Sequence, residues 1–226
     1  MNTDRHGWPF PDLRPSSLVP CPCPPSPLGL SPRSQEMIHS PVPVGYIAHM
    51  TGRQFYDWQT AGGASDVLRL VEALERAEVA WCAIGGVAVN HWAKEPMVTR
   101  DVDLVVAAAD VERAKALLAD AGFKAETHEW SINFTGRSQV SIRLSTEEFY
   151  REFPSRSVPA DVHGILMRVA SLEDTLAGKI AAWRDPRRRQ SKRLKDLGDV
   201  ARLVEAHPEL WDRLPAELRQ QLDQPS

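Results

Sequence analysis

Within residues 79–106 the apolar period changes twice, and no other feature constrains the fold of this chain as tightly. "VAWCAI" is a short continuous apolar run that reads as a buried strand. It leads straight into Gly85 and Gly86, after which a helix to about Ala93 must stop before Pro96, because the residue preceding a proline is steered away from the α region. "DVDLVV" then alternates, with Val102 and Leu104 facing one way and Asp101 and Asp103 the other. A strand, a glycine turn, a helix and a second strand in so short a stretch require helices packed on a sheet.

The flanking segments extend that plan. "SDVLRLVEALERAEVAW" places Val67, Leu70, Val71 and Leu74 at helical spacing behind Ser65 as a cap. Asp110 caps "VERAKALLADAG", whose apolar stripe is Val111, Ala114, Leu117 and Leu118 and whose stop is Gly122. "HEWSINF", "TGR" and "SQVSIRLS" read as a strand pair around a glycine turn. From Ser171, with Asp174 three residues on, "SLEDTLAGKIAAWRD" is helical, and a further helix runs through "SKRLKDLGDVARLVEA". The expected class is α+β: a small mixed β-sheet core with helices packed on it, followed by a helical C-terminal region. The expected boundaries are residues 1–62, 63–160 and 161–226. The first segment reads as disordered because eleven of the eighteen prolines fall in residues 1–43, where no apolar period survives. Met37 and Met50 are alternative starts.

A net charge of -3 gives no global attraction to nucleic acid or anionic membrane, so any such contact must come from a local patch. No apolar run reaches the length of a membrane span, and no signal-peptide pattern opens the chain. A cytoplasmic protein with no membrane partner is expected. Cys21, Cys23 and Cys82 read as reduced thiols, with neither a disulfide framework nor a zinc site.

Two aspartates two residues apart in a strand leave the same face about 6 to 7 Å apart and can converge on one hard cation, for which magnesium with substrate phosphates is suited. Solvated carboxylates on an edge strand are the plainer account of such a pair. The glycines add weight to the first account, since a Gly-Gly turn into a helix offers bare N–H groups to a phosphate. Lys179 stands beside a stripe of Leu172, Leu176, Ile180 and Trp183, where it either snorkels or meets a polyanion as a point charge. "RDPRRRQSKRLKD" carries seven basic residues within 184–195, either a solvated face or a footprint for an RNA backbone. Lys195, Asp196 and Asp199 share one helical turn, so a Lys195–Asp199 pair and an active-site wall are the two readings there.

Gly-Gly, a short helix and "TRDVDLVV", followed by "LEDTLAGKIAAW" and "RLKDLGD", resemble the signature of polymerase-β-like nucleotidyltransferases, in particular the AbiEii-like abortive-infection toxins and related minimal nucleotidyltransferases. The resemblance spans roughly Ser65 to Glu205. It implies Mg²⁺-dependent transfer of a nucleoside monophosphate from a nucleoside triphosphate to a hydroxyl on tRNA or protein, in a toxin–antitoxin setting. It assigns Asp101 and Asp103 to the metal and, with Lys179, to catalysis. Gly85, Gly86, Thr99, Arg100, Lys195, Asp196 and Asp199 fall to nucleotide binding.

The chain departs from that family at two places. A further carboxylate is expected on a neighbouring strand, yet "QVSIRLS" offers Gln139, Ser141 and Arg143 on its polar face, with Ser141 where the aspartate belongs. Glu147 or Glu148 could replace it, or Asp196 or Asp199, or the protein binds nucleotide without transferring it. The family's arginine two residues before the threonine is Met97 here. His91 and Trp92 could flank a base, but are expected to finish their helix against the core.

Overall fold

A computed structural model describes residues 51–222, apart from 61, 94–96 and 98. The chain begins there with α1 (Gly52–Gln59) and α2 (Gly63–Arg76), then β1 (Trp81–Ile84), α3 (Gly85–Trp92), β2 (Asp101–Val106) and α4 (Val111–Asp120). β3 (Lys124–Thr127), β4 (Ser131–Thr135) and β5 (Ser141–Ser145) follow. A hairpin of β6 (Val158–Val162) and β7 (Ile165–Val169) leads to α5 (Leu172–Arg184), α6 (Gln190–Ala206) and α7 (Ala216–Leu222). The seven strands form one mixed sheet in the order β3-β4-β5-β2-β1-β7-β6. This is the α+β arrangement expected from the sequence.

The alternation within β2 decides which face is buried. Val102, Leu104 and Val106 join the main core with Trp81 and Ala83 of β1, Ile142 and Leu144 of β5, and the apolar stripes of α2 and α4. Burying each such side chain contributes about 1.5–3 kcal/mol, so a one-residue slip that turned Leu104 outward and Asp103 inward is strongly disfavoured. The opposite face of the sheet is covered only in part, by a small cluster of Cys82, Ile84, Val105, Phe153 and Ala170. Cys82 is a free thiol whose pKa burial pushes up to about 12, so it is an inert packing residue. A second apolar cluster gathers Val89 and Ala93 with Leu176, Val200, Leu203, Leu210, Leu214 and Leu218, joining α3 to the C-terminal helices.

Several boundaries differ from those expected. Residues 52–59, placed in the disordered segment, form α1 under a Thr51–Gln54 capping box, and Tyr56 lies 4% exposed in the main core. The remainder of that expectation, residues 1–50, lies outside the described residues. The helical C-terminal region does not begin at 161: β6 and β7 intervene, and β7 pairs in parallel with β1. α2 starts before Ser65, its first N–H groups bound by Thr60 Oγ1 at 3.0 Å and Asp57 Oδ1 at 3.1 Å. Asp110 precedes α4 but accepts no capping hydrogen bond, and its carboxylate pairs with Arg113 at 3.5 Å instead. Gly122, at φ +88°, does stop α4. No helix among the described residues is long and apolar enough to cross a membrane.

Candidate active site

The partly covered sheet face opens into two adjoining clefts of about 210 and 250 Å³, which share Asp103, Arg143, Lys179, Arg188 and Asp196. One is walled by Trp130, Tyr150 and Phe153, the other by Gly86, Thr99, Asp101, Ser141, Lys192 and Lys195. β2 delivers both aspartates to this face because its alternate residues are locked in the core. Asp101 is exposed, and Asp103 is partly buried between β1 and β5, where Ile84 and Arg143 are its register partners.

Gly85 sets the approach of α3 to that strand. Its φ of +65° is a left-handed conformation that costs an L-residue about 1–2 kcal/mol. A Cβ built there would lie 2.8 Å from Asp103 Oδ2, so the bare turn and the carboxylate are packed against each other. Gly86 faces Thr99, whose Oγ1 would be 3.3 Å from an added Cβ. Thr99 is buried and its hydroxyl bridges the N–H and carbonyl of Asp101 at 3.3 and 3.2 Å, fixing the entry to β2.

Lys179 lines both clefts, and its ammonium is held within the fold. Its apolar companions on α5 pack into the C-terminal cluster, whereas its ammonium is 3.2 Å from Asp196 Oδ1 and 2.6 Å from Asp199 Oδ2 on α6. Asp196 also receives Arg188, Nε to Oδ2 at 2.6 Å, and Asp199 receives Arg202 at 3.0 Å. Arg202 continues to Asn90 Oδ1 at 3.1 Å, and the Asn90 amide donates to the Met97 carbonyl while accepting from the Met97 N–H at 2.8 Å. One buried polar chain therefore ties α5 and α6 to the helix after the glycine turn and to the segment entering β2. Met97 takes part through its backbone, its side chain being exposed.

Eight of the ten residues singled out from the sequence line the clefts: Gly85, Gly86, Thr99, Asp101, Asp103, Lys179, Lys195 and Asp196. The other two stand behind or beside them. Asp199 holds Lys179 from the rear, and Arg100 is exposed, its carbonyl accepting from Ser141 N–H at 3.1 Å. The Lys195–Asp199 pair does not form, because Asp199 is already bound by Lys179 and Arg202. Trp92 finishes α3 against the C-terminal helices, its indole donating to Ala170 O at 3.0 Å, and His91 packs edge-on against Trp92. Burial lowers the His91 pKa, keeping its imidazole neutral.

β5 runs parallel to β2 in a register that sets Ser141 opposite Asp101 and Arg143 opposite Asp103. Arg143 Nη2 lies 2.9 Å from Asp103 Oδ1, a pair that sequence reading did not foresee. Glu148 is engaged by Arg151 at 2.6 Å, while Glu147 lines the aromatic cleft. Tyr150 was also missed. Burial first, then the nearby carboxylates of Glu147 and Asp103, push its pKa up to about 12, so it stands as a neutral hydroxyl beside the acids. Among the described residues no three His, Cys, Asp or Glu side chains form a metal centre on their own. A cation held here would rest on Asp101 and Asp103 and complete its shell with substrate oxygens, as magnesium does.

Nucleotidyltransferases are among the solved structures whose fold is similar to this one. The chain is similar to ANT(2")-Ia, solved in complex with adenylyl-2"-tobramycin, at 15% identity and a TM-score of 0.50 over 69% of this chain and 95% of that one. It is also similar to the lincomycin-bound lincosamide antibiotic adenylyltransferase LnuA, at 13% identity, TM-score 0.44, over 62% and 96%. A third is an antigenic nucleotidyltransferase-like protein from Paracoccidioides brasiliensis, at 21% identity, TM-score 0.46, over 69% and 84%. No curated protein matches the chain. The family described as nucleotidyl transferase AbiEii toxin, type IV toxin–antitoxin system, matches residues 84–225, from the end of β1 through the glycine turn, the aspartate strand and the helices that carry Lys179 and Asp196. With well over half its length accounted for in this way, the chain belongs to the AbiEii nucleotidyltransferase family.

Proposed function

We propose that the protein binds a nucleoside triphosphate with Mg²⁺ in the paired clefts and transfers its nucleoside monophosphate to a hydroxyl of tRNA or a protein, as the toxin of a toxin–antitoxin pair. The observation that carries this reading is the packing of the Gly85 turn directly on Asp103, which brings the N-terminus of α3 beside two same-face carboxylates, the combination that a metal-bound polyphosphate requires. Magnesium bound by Asp101 and Asp103 would supply charge neutralisation at the reacting phosphate. Gly85 and Gly86 line the clefts with backbone alone, and Lys179, with Arg188, presents fixed positive charge on the facing wall. Lys179 is held in place by Asp196 and Asp199 and so does not have to be ordered at the moment of reaction. The basic run reaches the same cleft through Arg188, Lys192 and Lys195, which favours a polyanionic acceptor such as tRNA.

A second reading is a silent, nucleotide-binding relative, favoured by the absence of an acid on the exposed face of β5, where Ser141 and Arg143 stand. Incubation with each labelled triphosphate, Mg²⁺ and total RNA or lysate separates the two. Transfer of label by the wild type, lost in the Asp101→Ala, Asp103→Ala double variant, supports the enzyme. Mg²⁺-dependent nucleotide binding without transfer to any acceptor supports the silent relative, and no nucleotide binding refutes both.

A further inference from the structure

We propose that Arg143 is the second cation of this centre: its guanidinium takes the β5 side of Asp103, so the site accepts one divalent ion with its triphosphate where a two-ion site would hold another. The inference rests on the nucleotide-binding reading above and says how that site is charged.

Each oxygen of Asp103 is committed to one side. Oδ1 is bound by Arg143 Nη2 at 2.9 Å from the neighbouring strand, and Oδ2 packs on Gly85 at the start of α3. A second ion bridging β2 and β5 would need an anionic oxygen from β5. The parallel register leaves it only the Ser141 hydroxyl opposite Asp101 and a positive charge opposite Asp103. A hydroxyl is a weak magnesium ligand beside a carboxylate, and a divalent ion next to a guanidinium meets like-charge repulsion.

Glu147 lines the aromatic cleft, which Asp101 does not line, and the carboxylates on the facing wall do not make up the deficit. Asp196 is 1% exposed with Lys179 on one oxygen and Arg188 on the other, and Asp199 is bound by Lys179 and Arg202. Recruiting either would strip buried cations of their partners. Asp101, by contrast, is exposed and makes no ion pair among the described residues, so it is open to one ion.

Arg143 also has somewhere to go when Asp103 engages a metal. Its partner across the other edge of β5 is Asn133, whose Oδ1 is buried against the cleft with no hydrogen-bond partner among the described residues. Cross-strand neighbours lie close enough for a long guanidinium to reach. A guanidinium that can lean on an orphan amide oxygen stays in the site as a fixed charge and is not expelled from it.

The test counts ions and does not depend on turnover. The full chain is titrated with Mn²⁺ in the presence of each α,β-methylene nucleoside triphosphate, and bound Mn²⁺ is measured by electron paramagnetic resonance. Asp101→Ala with Asp103→Ala serves as the blank, and melting curves verify folding, which a half-exposed Arg143 should not limit. The expected result is one ion per chain in the wild type and in Arg143→Lys, and two in Arg143→Asp. Two ions in the wild type would overturn this inference while leaving nucleotide binding intact, and one ion in Arg143→Asp would remove Arg143 as the cause. No nucleotide-dependent ion in the wild type would overturn the functional reading and this inference together.

Discussion

Substituting the two adjacent glycines separately is the sharpest probe of how the turn serves the site. Gly85→Ala places a methyl 2.8 Å from Asp103 Oδ2 in a residue held at φ +65°. The left-handed conformation alone costs about 1–2 kcal/mol. Relieving the contact requires the carboxylate to rotate away from the turn, which also loosens the half-exposed pair with Arg143, worth up to about 1 kcal/mol. The total is about 2 kcal/mol, or roughly 4–8 °C in melting temperature for a chain of this size. Gly86→Ala meets the Thr99 side chain, its hydroxyl nearest at 3.3 Å, within a helix where alanine is preferred to glycine by about 0.5–1 kcal/mol. Its stability should be close to that of the wild type or slightly higher. Calorimetric titration with Mg²⁺ and triphosphate should show Gly85→Ala weakened at least tenfold, about 1.4 kcal/mol, since Asp103 has moved. Gly86→Ala should lose less. If both variants melt and bind alike, the turn is not packed on Asp103 in the way the structure describes.

Lys179→Met should lower stability by about 3 kcal/mol in urea unfolding, because it leaves two buried aspartates each short of a cation; a variant as stable as the wild type would show that the cluster does not depend on this lysine. Asp66 gives a pH-dependent test. Burial alone would raise its carboxyl, but hydrogen bonds from the Ser138 side chain and backbone and from Arg69 outweigh burial and hold the pKa below the ordinary 3.8. Its stabilisation is therefore fully present above the unfolded value and is lost as pH falls through the lower folded value. Asp66→Ala should cost about 3 kcal/mol at neutral pH and flatten the acid limb of the stability profile below about pH 4, and an unchanged limb would refute the assignment. A chain starting at Gly63 should melt lower than one starting at Thr51, since it lacks the buried Tyr56 and the Thr60 hydroxyl that caps α2; equal melting temperatures would make α1 dispensable.

What the sequence determined by itself is local. The alternation in "DVDLVV" settles which face of β2 is buried, because a half-buried strand with apolar residues on one side has only one favourable orientation. The glycine turn, the stripes of α2 and α4 and the Ser171 cap of α5 are likewise short-range patterns, and all lie close to where they were expected. β3 left no such trace, since all four of its residues are exposed and none alternates with a core position. The β6–β7 hairpin did leave one: His163 and Gly164, both at positive φ between strands, form a two-residue turn, and Asp161 binds the Gly164 N–H at 2.7 Å. Pro159 and Asp161 interrupt the strand pattern before it, which masked that signal.

Tertiary structure alone decided which charges meet. Nothing near Arg143 in the chain shows that it stands opposite Asp103, because that follows from the parallel register of β2 and β5, strands joined only through α4, β3 and β4. Lys179 read as an anomaly on its own helix, and only the packing of α5 on α6 supplies Asp196 and Asp199 as the reason it can be buried. Face and period are written in neighbouring residues. Register and ion pairing are set by which distant segments bury each other's apolar surface, and the charged groups on the other face are carried along.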